Sequence, residues 1–102
     1  MIETKPFLNP ELTLSDLAKE LSLSRSQLSQ LINSGLGENF YDFVNKYRVE
    51  EVKRLMTDPR MSKFNLLGIA LEAGFKSKST FNLIFKRFTG LTPSEYKRNS
   101  TQ

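Results

Sequence analysis

The chain has 102 residues, enough for one compact domain with a modest core, and 15 Lys and Arg against 11 Asp and Glu give a net charge of +4. It contains neither Cys nor His, which excludes disulfides, thiolate chemistry and the commonest general base and metal ligand. The positive balance suits a polyanion partner. No apolar run approaches the ~20 residues of a membrane helix, and the opening MIETKPFLNPEL lacks the apolar core of a signal peptide, so the expectation is a cytoplasmic protein without membrane contact.

Residues 1–12 carry Pro6 and Pro10 and little periodicity, and read as an extended lead-in or linker. Residues 13–37 read as helix, short turn, capped helix. Thr13 and Asp16 have capping-box spacing ahead of the apolar stripe Leu14, Leu17, Ala18 and Leu21. The turn is Ser22-Leu23. Ser24 and Gln27 form a second capping box, with Leu28, Leu31 and Ile32 on the inward face and Gly35 and Gly37 at the end.

Residues 38–58 form one longer helix. Asn39 caps it, with Asp42 three residues on, and Pro59 stops it. Its inner face is Phe40, Phe43, Val44, Tyr47, Val52, Leu55 and Met56. Its outer face carries Lys46, Glu50, Glu51, Lys53 and Arg54, with Glu50 and Arg54 as an i,i+4 pair. Roughly 18 residues at 1.5 Å each give a rod of about 27 Å. A short link, 59–64, leads on.

Residues 64–98 repeat the earlier layout. Leu66, Ile69, Ala70 and Ala73 form one apolar face, and Phe81, Ile84, Phe85 and Phe88 the next. Gly74 turns the chain between them, Phe75 can plug the interhelical angle, and Ser77 is the N-cap of the second helix. Thr92-Pro93-Ser94-Glu95 is a capping box opening a closing helix, whose Tyr96 can tuck back on the core. Residues 99–102 read as a frayed tail. The expected fold is all-α, about seven helices, no strand.

The halves match residue for residue at an offset like that from Gly37 to Gly90. Leu17-Ala18 pairs with Ile69-Ala70, Leu23 with Phe75, Leu28 with Phe81, Asn39 with Thr92 and Phe43 with Tyr96, and the second turn holds one extra residue. Two helix-turn-helix units on a rod is the simplest account. Helix, tight turn, capped helix is the layout whose second helix enters a DNA major groove. Successive major grooves on one side of B-DNA lie about 34 Å apart, close to what the rod and its flanking turns span. The bland alternative is a helical protein-interaction module whose hairpins only build core. No glycine-rich phosphate loop and no convergent carboxylates point to an enzyme, a metal or a cofactor.

These residues resemble the AraC/XylS family of bacterial transcription regulators. The likeness is densest over Ile69-Ala70, Gly74-Phe75, Ser77, Ser79, Phe81, Phe85-Lys86, Gly90, Thr92-Pro93 and Tyr96, and continues in LSDLAKELSLSRSQLSQLI, Gly37 and Tyr47-Arg48 with Glu50. It covers about residues 12 to 98. It implies two subdomains on a linker helix, both second helices facing DNA, and control of transcription near promoters, with RNA polymerase as a partner. The family's DNA-binding part commonly closes a longer regulator, which suggests a missing effector or sensor domain and a Met1 added to a fragment. Two residues depart from the family pattern: Leu83 stands where Arg is frequent, and Ser22 where Gly is usual.

In the first reader the resemblance assigns base contact to Ser26, Ser29 and Gln30, and Gln suits adenine. Arg25, in its first turn, suits a phosphate or a guanine and is placed with the phosphate candidates. In the second reader the base-contact candidates are Lys78, Ser79, Thr80 and Leu83, and the phosphate candidates Lys76, Asn82, Lys86 and Arg87. Leu83 reads equally as an extension of the core stripe. Arg48, beside Tyr47, is expected to pair with Asp16 or Glu20 in a structural role.

Overall fold

The computed structural model describes residues 5–61 and 63–100. Among the described residues six α-helices follow one another: α1 (Leu14–Glu20), α2 (Arg25–Gln30), α3 (Phe40–Met56), α4 (Leu66–Glu72), α5 (Lys78–Thr89) and α6 (Pro93–Ser100). Single turns of 3-10 helix sit at Pro6–Leu8 and Pro59–Met61, and a π turn at Leu31–Gly35 widens the end of α2. No strand occurs among the described residues. The all-α expectation holds, with six α-helices and these single turns among the described residues where about seven helices were expected.

Each helix begins at a polar side chain that accepts a backbone N–H which the helix itself leaves unpaired. The three predicted capping boxes close in both directions: Thr13 with Asp16 at 3.1 and 3.2 Å, Ser24 with Gln27 at 3.0 and 2.8 Å, and Thr92 with Glu95 at 3.2 and 2.9 Å. Asn39 accepts from Asp42 N–H at 2.7 Å, Asn65 from Gly68 N–H at 2.7 Å, and Ser77 from Thr80 N–H at 3.2 Å.

The two turns are built alike. Leu23 N–H returns to Ala18 O at 2.8 Å, and Phe75 N–H to Ala70 O at 3.0 Å. Inside these loops Ser22 N–H reaches Lys19 O at 3.2 Å, and Gly74 N–H reaches Leu71 O at 3.1 Å. This paired return is a Schellman motif, which requires a left-handed residue after the helix. Gly74 (φ +101°) supplies it in the second turn, and Ser22 (φ +59°) in the first. A left-handed non-glycine residue costs about 1–2 kcal/mol, partly offset in a glycine by its larger unfolded-state entropy. Ser22→Gly is therefore expected to raise the melting temperature by a few degrees. A thermal melt at or below that of the parent chain would refute the strain.

The core is double. Leu17, Ala18, Leu28 and Ile32 form the first cluster, closed by Phe40 and Phe43 from the start of α3. The second gathers Val49, Val52 and Leu55 from later in α3 with Ile69, Ala70, Ala73, Phe75, Phe81, Ile84 and Phe85. The 17-residue α3 thus belongs to both units, which makes it a structural rod of about 25 Å. Phe75 fills the angle between α4 and α5, its ring 5.3 Å from that of Phe81. Tyr96 packs edge-on to Phe85 at 5.3 Å.

The inward stripes are narrower than their periodicity suggests. Leu31 is 57% exposed and Leu21 and Phe88 also face outward, because each neighbouring helix covers only the middle of the stripe. On α3 the Glu50–Arg54 pair is replaced by two i,i+3 pairs, Lys53–Glu50 at 3.1 Å and Arg54–Glu51 at 2.7 Å. Glu51 is buried rather than outward, and also takes Lys5 at 3.3 Å. The Arg54 hydrogen bond holds its pKa below the usual carboxylate value, with Lys5 adding to that and burial opposing it.

The lead-in differs most from expectation. Phe7 is 4% exposed, its ring stacked on Tyr47 at 5.8 Å. Arg48 reaches this segment rather than the expected carboxylates: Nε donates to Phe7 O at 2.8 Å, Nη2 to Asn9 O at 2.9 Å, and Nη1 to Asn45 Oδ1 at 3.3 Å. Burial lowers the Arg48 pKa, yet a guanidinium in a protein keeps its charge. Phe7 O lies against the Gly74 turn, where an added Cβ would stand 2.3 Å from it. Residues 5–9 are thus wedged between the rod and the second turn. Residues 1–4 and 101–102 lie outside the described residues.

Candidate nucleic-acid interface

Two helices carry the predicted site residues, and each shows one polar stripe opposite its buried one. At 100° per residue, the centre of the α5 outer face falls on Ser79, Leu83 and Lys86, opposite Phe81, Ile84 and Phe85. Asn82 and Arg87 border that stripe. Lys78 and Thr80 lie further round on opposite flanks, so the candidate set does not converge on one line. Thr80 is half-buried, and its hydroxyl accepts a hydrogen bond from Ser77 Oγ at 3.1 Å. Leu83 is 70% exposed. It belongs to the surface, and its core reading is set aside.

On α2 the face opposite Leu28 and Ile32 presents Ser26, Gln30 and, through the following turn, Asn33. Ser29 is half-buried, and its hydroxyl accepts from Asn33 Nδ2 at 3.1 Å. Arg25 is exposed in the first turn and shares a shallow depression with Ser26, Ser29 and Gln30. Leu31 stands beside Gln30 and, with Leu23, lines an apolar hollow that the periodicity did not foretell.

Two candidate cations are engaged within the chain. Lys76, the extra residue of the second turn, pairs with Glu11 of the lead-in at 3.0 Å. Arg87 pairs with Asp42 near the start of α3 at 3.0 Å. Both are surface pairs, worth little in stability. Both bridge the second unit to elements that flank the first, so they bear on how the two outer faces are aligned. Lys86 is exposed on the α5 stripe. Among the described residues no cluster of His, Cys, Asp or Glu could hold a metal ion, and no helix is long and apolar enough to cross a membrane.

A family model described as a helix-turn-helix domain matches residues 17–99, from α1 into α6. This chain belongs to the AraC-type helix-turn-helix family. A Staphylococcus aureus protein named as an uncharacterized HTH-type transcriptional regulator is 36% identical over 87 residues, covering 85% of this chain and 11% of its own length. The Bacillus subtilis regulatory protein YesN is 37% identical over 92 residues, covering 88% of this chain and 24% of its own. The chain therefore spans a quarter or less of these relatives. Among solved structures, the C-terminal domain of AraT, a response regulator from Geobacillus stearothermophilus, superposes with a TM-score of 0.78 at 29% identity, over 93% of this chain and 76% of that one. Two residues of this AraC-type chain, Ser22 and Leu83, were singled out above as departures from the pattern that the resemblance implied. The first departure leaves a left-handed serine in the turn, and the second places a hydrocarbon at the centre of the α5 outer face.

Proposed function

We propose that this chain binds double-stranded DNA sequence-specifically, with α2 and α5 in successive major grooves, and regulates transcription in the cytoplasm as part of a larger regulator that contacts RNA polymerase. The observation that carries this reading is a pair of capped helices on one shared rod, each with a polar stripe turned away from the core. Membership of the AraC-type family and relatives named as transcriptional regulators support it. In this reading Ser26, Ser29, Gln30, Lys78, Ser79, Thr80 and Leu83 meet bases. Arg25, Lys76, Asn82, Lys86 and Arg87 meet phosphates. Lys76 and Arg87 must exchange their carboxylate partners for phosphate, which makes their share of the affinity small at low salt. The domain supplies binding only and performs no catalysis.

Leu83 gives the reading its sharpest consequence. A hydrocarbon in water at the centre of an outer face gains nothing, whereas in a major groove it can rest on a thymine methyl. Leu83→Arg should fold as the parent does and shift the preferred base toward guanine at one position of the second half-site, read by selection from random duplexes. Gln30→Ala should weaken cognate duplex selectively, and Lys86→Ala should weaken all duplexes alike. Anisotropy across a salt series supplies the binding measurement, since affinity for DNA must fall steeply with salt. A salt-insensitive chain, or a stable Leu83→Arg variant with unaltered preference, would sink the assignment and favour a protein-interaction module.

A further inference from the structure

We propose that the groove between α4, α5 and α6 seats one DNA backbone strand beside the second reading helix, with Lys97 and Arg98 of α6 as phosphate contacts. This rests on the reading of α5 as a major-groove helix. The groove has a volume of 770 Å³; Leu66, Leu67 and Phe81 give it an apolar part, and its polar lining is Asn65, Lys78, Asn82, Ser94, Lys97 and Arg98. Every charged residue lining it is a cation, among the described residues. Asn65 has its side-chain oxygen committed to Gly68 N–H at 2.7 Å, which leaves its amide hydrogens as donors. Glu95, the acidic residue of α6, accepts the Thr92 N–H at 2.9 Å at the helix start; that bond and then the nearby charges of Lys86 and Arg98 lower its pKa, so Arg98 shares its charge with Glu95 and meets phosphate in competition with it. The polar part of the lining therefore offers positive charge and hydrogen-bond donors, which is what phosphate oxygens accept.

An acidic peptide would satisfy the same charge. What favours DNA is continuity: Asn82 lines the groove and also borders the Ser79–Leu83–Lys86 stripe, and Lys78, further round on the same flank, lines the groove beside it. A helix about 10–12 Å across fills a major groove about 12 Å wide. Its flanks must then run along the two phosphate walls. On this flank the wall falls into the groove, and α6 reaches it from the far side. Lys97 and Arg98 escaped the sequence reading because they follow the helix-turn-helix pattern, and only the packing of α6 through Tyr96 on Phe85 brings them beside α5.

The test is the K97Q/R98Q double variant, with anisotropy on cognate and random duplex over a salt series. Loss of two phosphate contacts should make the slope of log affinity against log salt shallower by about 1.8. Binding should weaken about tenfold or more at low salt, equally on both duplexes, and approach the parent at high salt. Hydroxyl-radical protection should be lost at the outer edge of the second half-site alone. Ser94→Glu offers a second route. It adds an acid in the first turn of α6, which suits the helix dipole, yet it should also weaken all duplexes. The charge-conserving K97R/R98K variant should keep the parent slope. An unchanged slope and footprint in both K97Q/R98Q and Ser94→Glu would overturn the groove assignment. A parent chain that binds no duplex would instead overturn the DNA reading on which it rests.

Discussion

Phe85→Ala is expected to unfold the second helical unit. Phe85 is fully buried, and its ring meets those of Phe81 at 5.8 Å and Tyr96 at 5.3 Å. Removing a buried ring costs about 3–5 kcal/mol, because the surroundings collapse only partly into the space left. The whole stability of a domain this size is about 5–15 kcal/mol. At about 4–8 °C per kcal/mol, the melting temperature should fall by more than about 12 °C. Phe81→Ala should behave alike, since Phe81 is 1% exposed and joins Phe75 to Phe85. α3 contributes Val49, Val52 and Leu55 to the same cluster, so the loss should spread along the rod to the first unit. A circular dichroism melt unchanged from that of the parent chain would show that the rings are not where the cluster needs them.

Gly74→Ala should be as damaging for a different reason. The position has φ +101°, which an L side chain rarely adopts. The new Cβ would lie 2.3 Å from Phe7 O, 3.1 Å from Leu8 Cα and 3.0 Å from Arg48 Nε. Two of these are backbone atoms, and the third is held by its bond to Phe7 O. Something must move: either the turn unwinds or residues 5–9 leave the rod and expose Phe7. Strain of about 1–3 kcal/mol from the backbone and a similar amount from overpacking add. Gly90→Ala is the control. It also has positive φ, +81°, but no atom lies within 4 Å of the added carbon. It should cost only the backbone part, about 1–2 kcal/mol. Equal losses in the two variants would show that the lead-in does not press on the Gly74 turn.

Much of this architecture was legible in the chain because it is local. A cap joins a side chain to a backbone N–H three residues on, so Thr13, Ser24, Ser77 and Thr92 announce helix starts whatever the fold does elsewhere. The same holds for the turn at Gly74 and for the buried stripe of Phe81, Ile84 and Phe85, where spacing alone selects one face. The outward stripe of Ser79, Leu83 and Lys86 followed as its complement, whereas the choice of contact residues came from the family resemblance.

What the chain could not disclose is decided by contacts between distant residues. Arg48 and Phe7 are 41 positions apart, and nothing local distinguishes a docked Phe7 from a phenylalanine in a linker. Glu51 was placed outward by periodicity, but tertiary packing buries it and supplies Lys5 as a partner 46 residues away. Leu31, Phe88 and Leu83 share the chemistry of core residues. Whether such a side chain is covered depends on how far the neighbouring helix extends across it. Periodicity gives the direction in which a side chain points from its own helix; only the packed fold decides what, if anything, stands there to meet it.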